Sequence, residues 1–135
     1  MMNKTIEGDA DRIRDFMRMD LSGPFLMLNM LKFRQEARYT GDHSKTPACS
    51  GQAAYQRYMA ATAPLIEKLG ATMAFNSSVI ACPIAPQEES WDRVFHVHWP
   101  DKHAFIQMVT DPAYQAIVYH RMAALEDSRL IALAL

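Results

Sequence analysis

One segment, residues 25–33, constrains what this chain can fold into more than any other. Its sequence is Phe-Leu-Met-Leu-Asn-Met-Leu-Lys-Phe. Successive side chains of a strand point to opposite sides, so apolar groups here occupy both faces. That pattern is typical of a strand buried on two sides of a sheet. The chain must therefore provide cover for both faces of this strand.

Periodicity and capping signals predict the other elements. Apolar residues at helical spacing follow Asp9 and Ser50, which are suitable N-caps, and Asp111-Pro112 is typical of a helix start. Runs that are apolar or alternate strictly indicate strands. The helices are predicted over residues 9–19, 50–69, 100–109 and 111–125, and the other strands over residues 71–82, 91–99 and 128–135.

The order of these elements predicts the fold class. After an extra N-terminal helix the chain runs strand, helix, strand, strand, helix, strand, which is the ferredoxin-like βαββαβ arrangement of an α+β protein. We expect a single domain over residues 1–135. Its helices can cover only one face of a four-stranded sheet, and the other face would be a large exposed apolar patch in a monomer. The simplest remedy is a homodimer, sheet against sheet.

Charge and hydropathy exclude several classes of partner. Fourteen basic residues against fifteen acidic ones give a net charge of −1, without the basic patch that nucleic acid or an anionic membrane attracts. The apolar runs are too short to cross a bilayer, and the first twenty residues lack the apolar block of a signal peptide. Cys49 and Cys82 are far apart without a second pair. These features predict a cytoplasmic protein with reduced thiols.

Several segments together resemble a known family. The chain is similar to the "domain of unknown function 1330" family of the dimeric α/β-barrel superfamily. The resemblance implies a ferredoxin-like protomer that pairs into a dimer with a barrel-like core, and it implies no particular reaction. The segments that carry it are Gly23-Pro24, Met27-Leu28-Asn29-Met30-Leu31-Lys32-Phe33-Arg34, Ser50-Gly51-Gln52-Ala53-Ala54-Tyr55, Trp91-Asp92, His98-Trp99-Pro100, Ala104-Phe105, Asp111-Pro112-Ala113-Tyr114 and residues 121–130.

A polar cluster inside an apolar barrel is the main candidate site. His96 and His98 share one face of their strand, and we expect this face and the face carrying Asn29 to point into the barrel. The histidines could transfer protons, with Asn29 orienting a substrate or stabilising an oxyanion. These three are the candidate catalytic residues, and Met27, Asn76 and Arg121 are the candidate substrate contacts. The alternative is that both histidines are hydrogen-bonded core or interface residues.

Other features leave alternatives open. Arg121 lies on the apolar stripe of its helix and needs a partner, either Asp127 or Glu126 or a substrate carboxylate. His96-Val97-His98 has a chelating spacing but lacks the further ligands that a metal needs, so we predict neither metal nor cofactor. The loop over residues 34–49 either closes over a pocket through Tyr39 or is an ordinary surface loop.

The sequence thus favours a homodimer that binds a small, partly apolar organic molecule in the barrel pocket. Any chemistry would be cofactor-free proton transfer or oxygenation, and whether the protein is an enzyme stays open. One alternative is a non-catalytic binding or assembly module with a packed dimer interface. Another is a haem or metal protein of the same fold.

Overall fold

Capping side chains begin the helices where the sequence places them. The computed structural model describes residues 4–135. Asp9 accepts hydrogen bonds from the N–H groups of residues 11 and 12, and Ser50 and Asp111 accept from residues 53 and 113 in the same way. The elements in chain order are α1 (Ala10–Arg18), β1 (Phe25–Phe33), α2 (Gly51–Lys68), β2 (Thr72–Ser78), β3 (Arg93–Trp99), α3 (Lys102–Thr110), α4 (Pro112–Gln115), α5 (Tyr119–Ala124) and β4 (Leu125–Ala134).

The four strands form one antiparallel sheet in the order β2-β3-β1-β4. This order, with helices between β1 and β2 and between β3 and β4, is the ferredoxin-like arrangement, and the predicted fold class is confirmed. The N-terminal helix α1 is added through Phe16, whose ring centroid lies 6.0 Å from that of Phe25 and 6.1 Å from that of Phe105. Lys102 also donates a 2.7 Å hydrogen bond to the carbonyl oxygen of Met17. The helix therefore packs at the start of β1.

The two faces of the sheet differ in what covers them. The helices pack on one face, here called the covered face, to which β1 and β3 contribute the buried residues Phe25, Met27, Leu31, Phe95, Val97 and Trp99. The other face, here called the open face, is only partly buried in the protomer. Its residues on the same two strands are Leu26, Leu28, Met30, Val94, His96 and His98. The two central strands thus show that one face of the sheet lacks cover within the protomer, as expected.

Three predicted elements have different boundaries in the structure. The predicted strand over residues 71–82 ends at Ser78, and residues 79–90 form an exposed arm. The predicted helix over residues 111–125 is divided into α4 and α5, with a turn between them. The last strand begins at Leu125, three residues earlier than predicted, because a bulge opposite Lys32 and Phe33 lets residues 125–127 join the ladder.

Apolar side chains remain exposed at several places, among them the arm and the second half of β4. In the arm, Ile80 is 100% exposed and Ile84 is 97% exposed. In the second half of the edge strand β4, Leu130 is 49% exposed and Ile131 is 41% exposed, although these neighbours point to opposite faces. Scattered exposed apolar residues need no explanation, but a contiguous set on an edge strand is a candidate interaction surface.

Buried polar contacts hold the first residues of β4 in place. Asp127 accepts hydrogen bonds from the backbone N–H of Thr5 at 2.7 Å and that of Ser128 at 2.9 Å, and it pairs with Arg129 at 2.6 Å. The Arg129 guanidinium also lies 5.1 Å from the ring centroid of Trp91, which is buried. One oxygen of this buried carboxylate, Oδ1, therefore carries both hydrogen bonds and the ion pair that compensate its charge. No helix among residues 4–135 has the length and apolar character needed to cross a membrane.

Core packing gives the first prediction. Leu31 is completely buried, so Leu31→Ala should lower the free energy of unfolding by about 2–5 kcal/mol through lost transfer energy and a residual cavity. The matched control Ile84→Ala, in the exposed arm, should change it by less than about 0.5 kcal/mol. Urea-induced unfolding at one fixed protein concentration measures both values. Similar losses for the two variants would contradict this account of the core.

Candidate functional site

The predicted catalytic residues lie on opposite faces of the sheet. Leu26 and Leu28 of β1 pair with His98 and His96 of β3, so both histidines lie on the open face. Asn29 pairs with Phe95 and lies on the covered face. The prediction that Asn29 joins the histidines is therefore wrong. The polar residue does not mark the barrel side of β1, because its amide is accommodated by a 3.2 Å hydrogen bond to the carbonyl oxygen of Met27.

Two of the predicted substrate contacts are structural residues. Met27 is buried in the core below the helices, on the same face as Asn29, and it does not line the cleft described below. Arg121 donates to the carbonyl oxygen of Ile6 at 2.7 Å and to the hydroxyl of Ser128 at 3.3 Å. The predicted ion pair of Arg121 with Asp127 or Glu126 is wrong, because Asp127 pairs with Arg129 and Glu126 pairs with Lys4.

The histidines sit among apolar groups on the open face. The His96 ring stacks on Phe75 of β2, with centroids 5.4 Å apart and an interplanar angle of 11°. Its Nδ1 is buried and has no hydrogen-bond partner among residues 4–135. A buried ring nitrogen that lacks a hydrogen-bond partner costs free energy.

The third predicted contact, Asn76, lines a cleft on the covered face. The cleft has a volume of about 210 Å³ and lies between α2 and the strands β2 and β3. Aromatic and thioether groups form its walls, and amide and guanidinium groups supply its polar atoms. Its lining residues are Phe33, Gln52, Tyr55, Gln56, Met59, Asn76, Arg93 and Phe95.

A bulge in β2 aims Asn76 into this cleft. The register with β3 shifts between Met73 and Phe75, so that Met73 pairs with Val97 on the covered face but Phe75 pairs with His96 on the open face. Asn76 then lies opposite Phe95 on the covered face. One extra residue thus exchanges the faces of the side chains that follow it.

Arg93 is the residue that sequence reasoning missed. It occupies the covered face of β3, in line with Phe95, Val97 and Trp99. Its Nε donates to Asn76 Oδ1 at 2.6 Å and its Nη1 donates to Ser78 Oγ at 3.1 Å. The signal was present in the sequence, because a lone charge in register with three large apolar residues must serve either a partner or a ligand.

The amide of Asn76 is oriented by a second contact. Its Nδ2 donates to the thioether sulfur of Met73 at 3.3 Å, which leaves Oδ1 directed at the arginine. The guanidinium is therefore held by neutral acceptors in one orientation at the cleft wall. A fixed guanidinium loses less freedom when it binds an acceptor than a mobile one does.

Buried tyrosines form the deep wall behind the cleft. The hydroxyls of Tyr58 and Tyr114 are 2.8 Å apart, and the ring centroid of Tyr55 lies 5.2 Å from that of Tyr58. Burial raises the pKa of Tyr55 far above its ordinary value, although the charge of Arg121 opposes this shift. Burial also raises the pKa of Tyr58. Both phenols therefore stay protonated and neutral at physiological pH.

The loop over residues 34–49 is fastened to α5. Its backbone N–H groups at Arg34 and Arg38 donate to the carbonyl oxygens of Ala124 and Ala123, each at 2.8 Å. A Cβ at Gly51 would collide with the carbonyl oxygen of Arg34, so only glycine allows this close approach. The loop contributes no residue to the cleft beside α2, which favours the surface loop among the two alternatives given for it.

Aromatic contacts complete this attachment. The Tyr39 hydroxyl lies 2.8 Å from His120 Nδ1 and accepts a 3.3 Å hydrogen bond from Arg57. The His43 ring stacks on Tyr119 with centroids 3.6 Å apart. Burial, followed by the charges of Arg57 and His43, lowers the pKa of His120. A shallow cleft of about 420 Å³ follows the loop, but residues of the loop alone line it.

Metal ligation finds no support in the part of the chain that the structure describes. Within residues 4–135, no three His, Cys, Asp or Glu side chains are grouped so that they could hold a metal ion. Cys49 and Cys82 are both free thiols.

Comparison with solved structures places the chain in a family. The crystal structure of methylated RPA0582 matches it with a TM-score of 0.88 and 34% sequence identity, covering 99% of this chain and 96% of that one. A second structure of RPA0582, from Rhodopseudomonas palustris, gives a TM-score of 0.86 and 34% identity over 98% of each chain. This chain belongs to the RPA0582 family. RPA0582 is described as a protein of unknown function, so membership of the RPA0582 family brings no reaction with it.

More distant structures share the fold of the RPA0582 family. A dimeric ferredoxin-like protein of unknown function from Bacteroides fragilis has a TM-score of 0.51 at 10% identity, over 85% of this chain and 99% of that one. A DABB family protein from Mesorhizobium loti has a TM-score of 0.53 at 13% identity, over 84% and 98%. Such identities show the fold alone. No protein-family model and no curated protein matches the sequence.

The buried tyrosines give the second prediction. Their raised pKa values mean that the unfolded chain loses these phenolic protons first, at about pH 10, so stability should be intact below that pH and should fall as pH rises above it. Absorbance of the phenolate, recorded together with circular dichroism, should show Tyr55 and Tyr58 ionising only as the protein unfolds. Tyr58→Phe should remove one of these late-titrating groups. Ionisation of all five tyrosines near pH 10 in a folded protein would contradict the assignment.

Proposed function

We propose that this protein is a homodimer that binds a small organic molecule in the cleft between α2 and the strands β2 and β3. One observation carries the proposal: the Arg93 guanidinium is held by Asn76 and Ser78 at the wall of a cleft lined by Phe33, Met59 and Phe95. A concave, mostly apolar site with a few fixed polar groups is the usual form of a small-molecule site. Asn76 has a substrate-binding role in this proposal too, but in the cleft on the covered face and not in the barrel pocket that the sequence predicts.

Binding rather than catalysis is the function that this arrangement supports. The predicted proton transfer or oxygenation requires His96, His98 and Asn29 to face one substrate, and these residues occupy opposite faces of the sheet. Burial raises the pKa values of Tyr55 and Tyr58 beside the cleft, so both phenols stay protonated and supply no phenolate to act as a base. The residues present can therefore bind and orient a ligand.

The open face is the proposed dimer interface. Leu26, Leu28, Met30 and Val94 form its apolar centre, beside the exposed Ile131 of β4. Distant proteins of this fold, including the one from Bacteroides fragilis, are described as dimeric. In this proposal His96 and His98 are interface residues, and a second copy supplies the partner that His96 Nδ1 lacks within the protomer. The two sheets then enclose the barrel-like core that the resemblance implies.

Two finer assignments belong to the same proposal. The RPA0582 family would be part of the "domain of unknown function 1330" family, on the strength of segments such as Asp111-Pro112-Ala113-Tyr114. The location would be cytoplasmic, which the free thiols of Cys49 and Cys82 support.

The interface gives the third prediction. Light scattering of the native protein at micromolar concentration should give the mass of a dimer. Leu28→Lys places an unpaired charge at the centre of the open face and should yield a folded monomer, because burying that charge is costly. The matched control Met19→Lys lies on an exposed position after α1 and should remain dimeric. A monomeric native protein would refute the proposed assembly.

The cleft gives the fourth prediction. Small aromatic and aliphatic compounds that raise the melting temperature of the native protein should lose this effect in Gln56→Trp, because an indole at this exposed lining position fills the cleft. The matched control Glu67→Trp, farther along the same helix and outside the cleft, should retain it. If no compound stabilises the native protein, or if Gln56→Trp responds as the control does, the assembly module is the better reading.

A further inference from the structure

The charge of Arg93 has no counter-ion within the described chain. The ion pairs among residues 4–135 are Lys4 with Glu126, Arg14 with Asp11 and Asp15, and Arg129 with Asp127. Arg93 contacts only the neutral oxygens of Asn76 and Ser78. The carboxylate next to it in the chain, Asp92, accepts a 2.7 Å hydrogen bond from the backbone N–H of Phe33 instead.

The unused donors of Arg93 form a recognition edge. Its Nε and Nη1 hold the acceptors on β2, and its remaining N–H groups have no acceptor among residues 4–135. A planar guanidinium with free N–H groups matches a planar carboxylate, which can accept two parallel hydrogen bonds. Because Asn76 and Ser78 are neutral, they orient the guanidinium without neutralising its positive charge.

The walls of the cleft determine the rest of the ligand. Phe33, Phe95 and Met59 offer aromatic and thioether surface, and Gln52 and Gln56 lie on exposed positions of α2. The volume of about 210 Å³ is below the range of about 300–1,000 Å³ that is usual for drug-sized ligands. The cleft therefore suits a body no larger than a single ring or a short chain. An ion pair formed beside these apolar walls is screened less than one in open solvent.

We infer that the ligand of this cleft is a small monocarboxylate with an apolar body, its carboxylate bound by Arg93 and its body packed between Phe33, Met59 and Phe95. This inference rests on the proposed function, since it names the class of ligand for the same cleft. It differs from the earlier expectation that Arg121 binds a substrate carboxylate, because Arg121 is satisfied within the protomer.

Matched acids and amides test the inference. Calorimetric titration of the native protein with benzoate and benzamide, and with phenylacetate and phenylacetamide, compares ligands that differ chiefly in charge. The acids should bind at least tenfold more tightly than the amides. Arg93→Gln should lower the affinity for the acids at least tenfold and leave the amides unchanged. Arg57→Gln, an exposed arginine of α2 outside the cleft, is the control and should bind the acids as the native protein does.

A second variant keeps the test decisive if Arg93→Gln fails to fold. Asn76→Asp preserves the shape of the side chain and places a carboxylate oxygen where Oδ1 now lies 2.6 Å from Arg93 Nε. This internal carboxylate should neutralise the guanidinium and lower the affinity for the acids at least tenfold, with the amides unaffected.

The possible outcomes separate the inference from the proposed function. If amides bind as tightly as acids and this binding is lost in Gln56→Trp, the cleft is a ligand site but the carboxylate class is wrong. If inorganic phosphate displaces a bound acid as effectively as a second acid does, the apolar walls contribute nothing to binding. The proposed ligand class, a monocarboxylate with an apolar body, is then again wrong. If neither acids nor amides bind in a manner sensitive to Gln56→Trp, both the proposed function and the inference are overturned.

Discussion

The register between β1 and β3 is the constraint on which the rest of the structure depends. Phe25 lies opposite Trp99 and Met27 lies opposite Val97, and these pairs form the sheet side of the hydrophobic core below the helices. A shift of one residue would bring His96 and His98 under α2 and expose the aromatic residues. The same register places Arg93 at the end of the covered face, where β2 can reach its guanidinium. The core, the open face and the cleft thus follow from one pairing of two strands.

The fold was predictable because its signals are local. Apolar periodicity, the caps at Asp9 and Ser50 and the Asp111-Pro112 start are each readable within a few residues. Their order then leaves few topologies, of which the ferredoxin-like one is observed. The boundaries that were predicted wrongly, at the end of β2 and the beginning of β4, depend on pairing with distant strands, which no local pattern encodes.

The candidate site was less predictable because it depends on which face each residue occupies. Asn29 was assigned to the barrel side as the polar residue of its strand, yet a single amide is tolerated under the helices when it bonds to backbone. A bulge in β2 places Phe75 on the open face and Asn76 on the covered face, and a sequence pattern cannot show this bulge. Arg93 was overlooked although its parity with Phe95 and Trp99 placed it on the covered face. A charge in register with large apolar residues was the more informative signal.

The intrinsic fluorescence of the two tryptophans depends on where each indole lies in the structure. Trp91 lies two residues before β3 and faces Arg129, and Trp99 ends β3 with its ring edge to face against Phe105 at a centroid distance of 5.4 Å. Both indole N–H groups are buried without an acceptor among residues 4–135, but one ring faces the Arg129 guanidinium and the other faces the ring of Phe105. Trp91 precedes Arg93 by two residues and Trp99 adjoins α3. We therefore expect the fluorescence of Trp91 to report on the contact with Arg129 of β4, and that of Trp99 to report on the packing of α3 against the sheet.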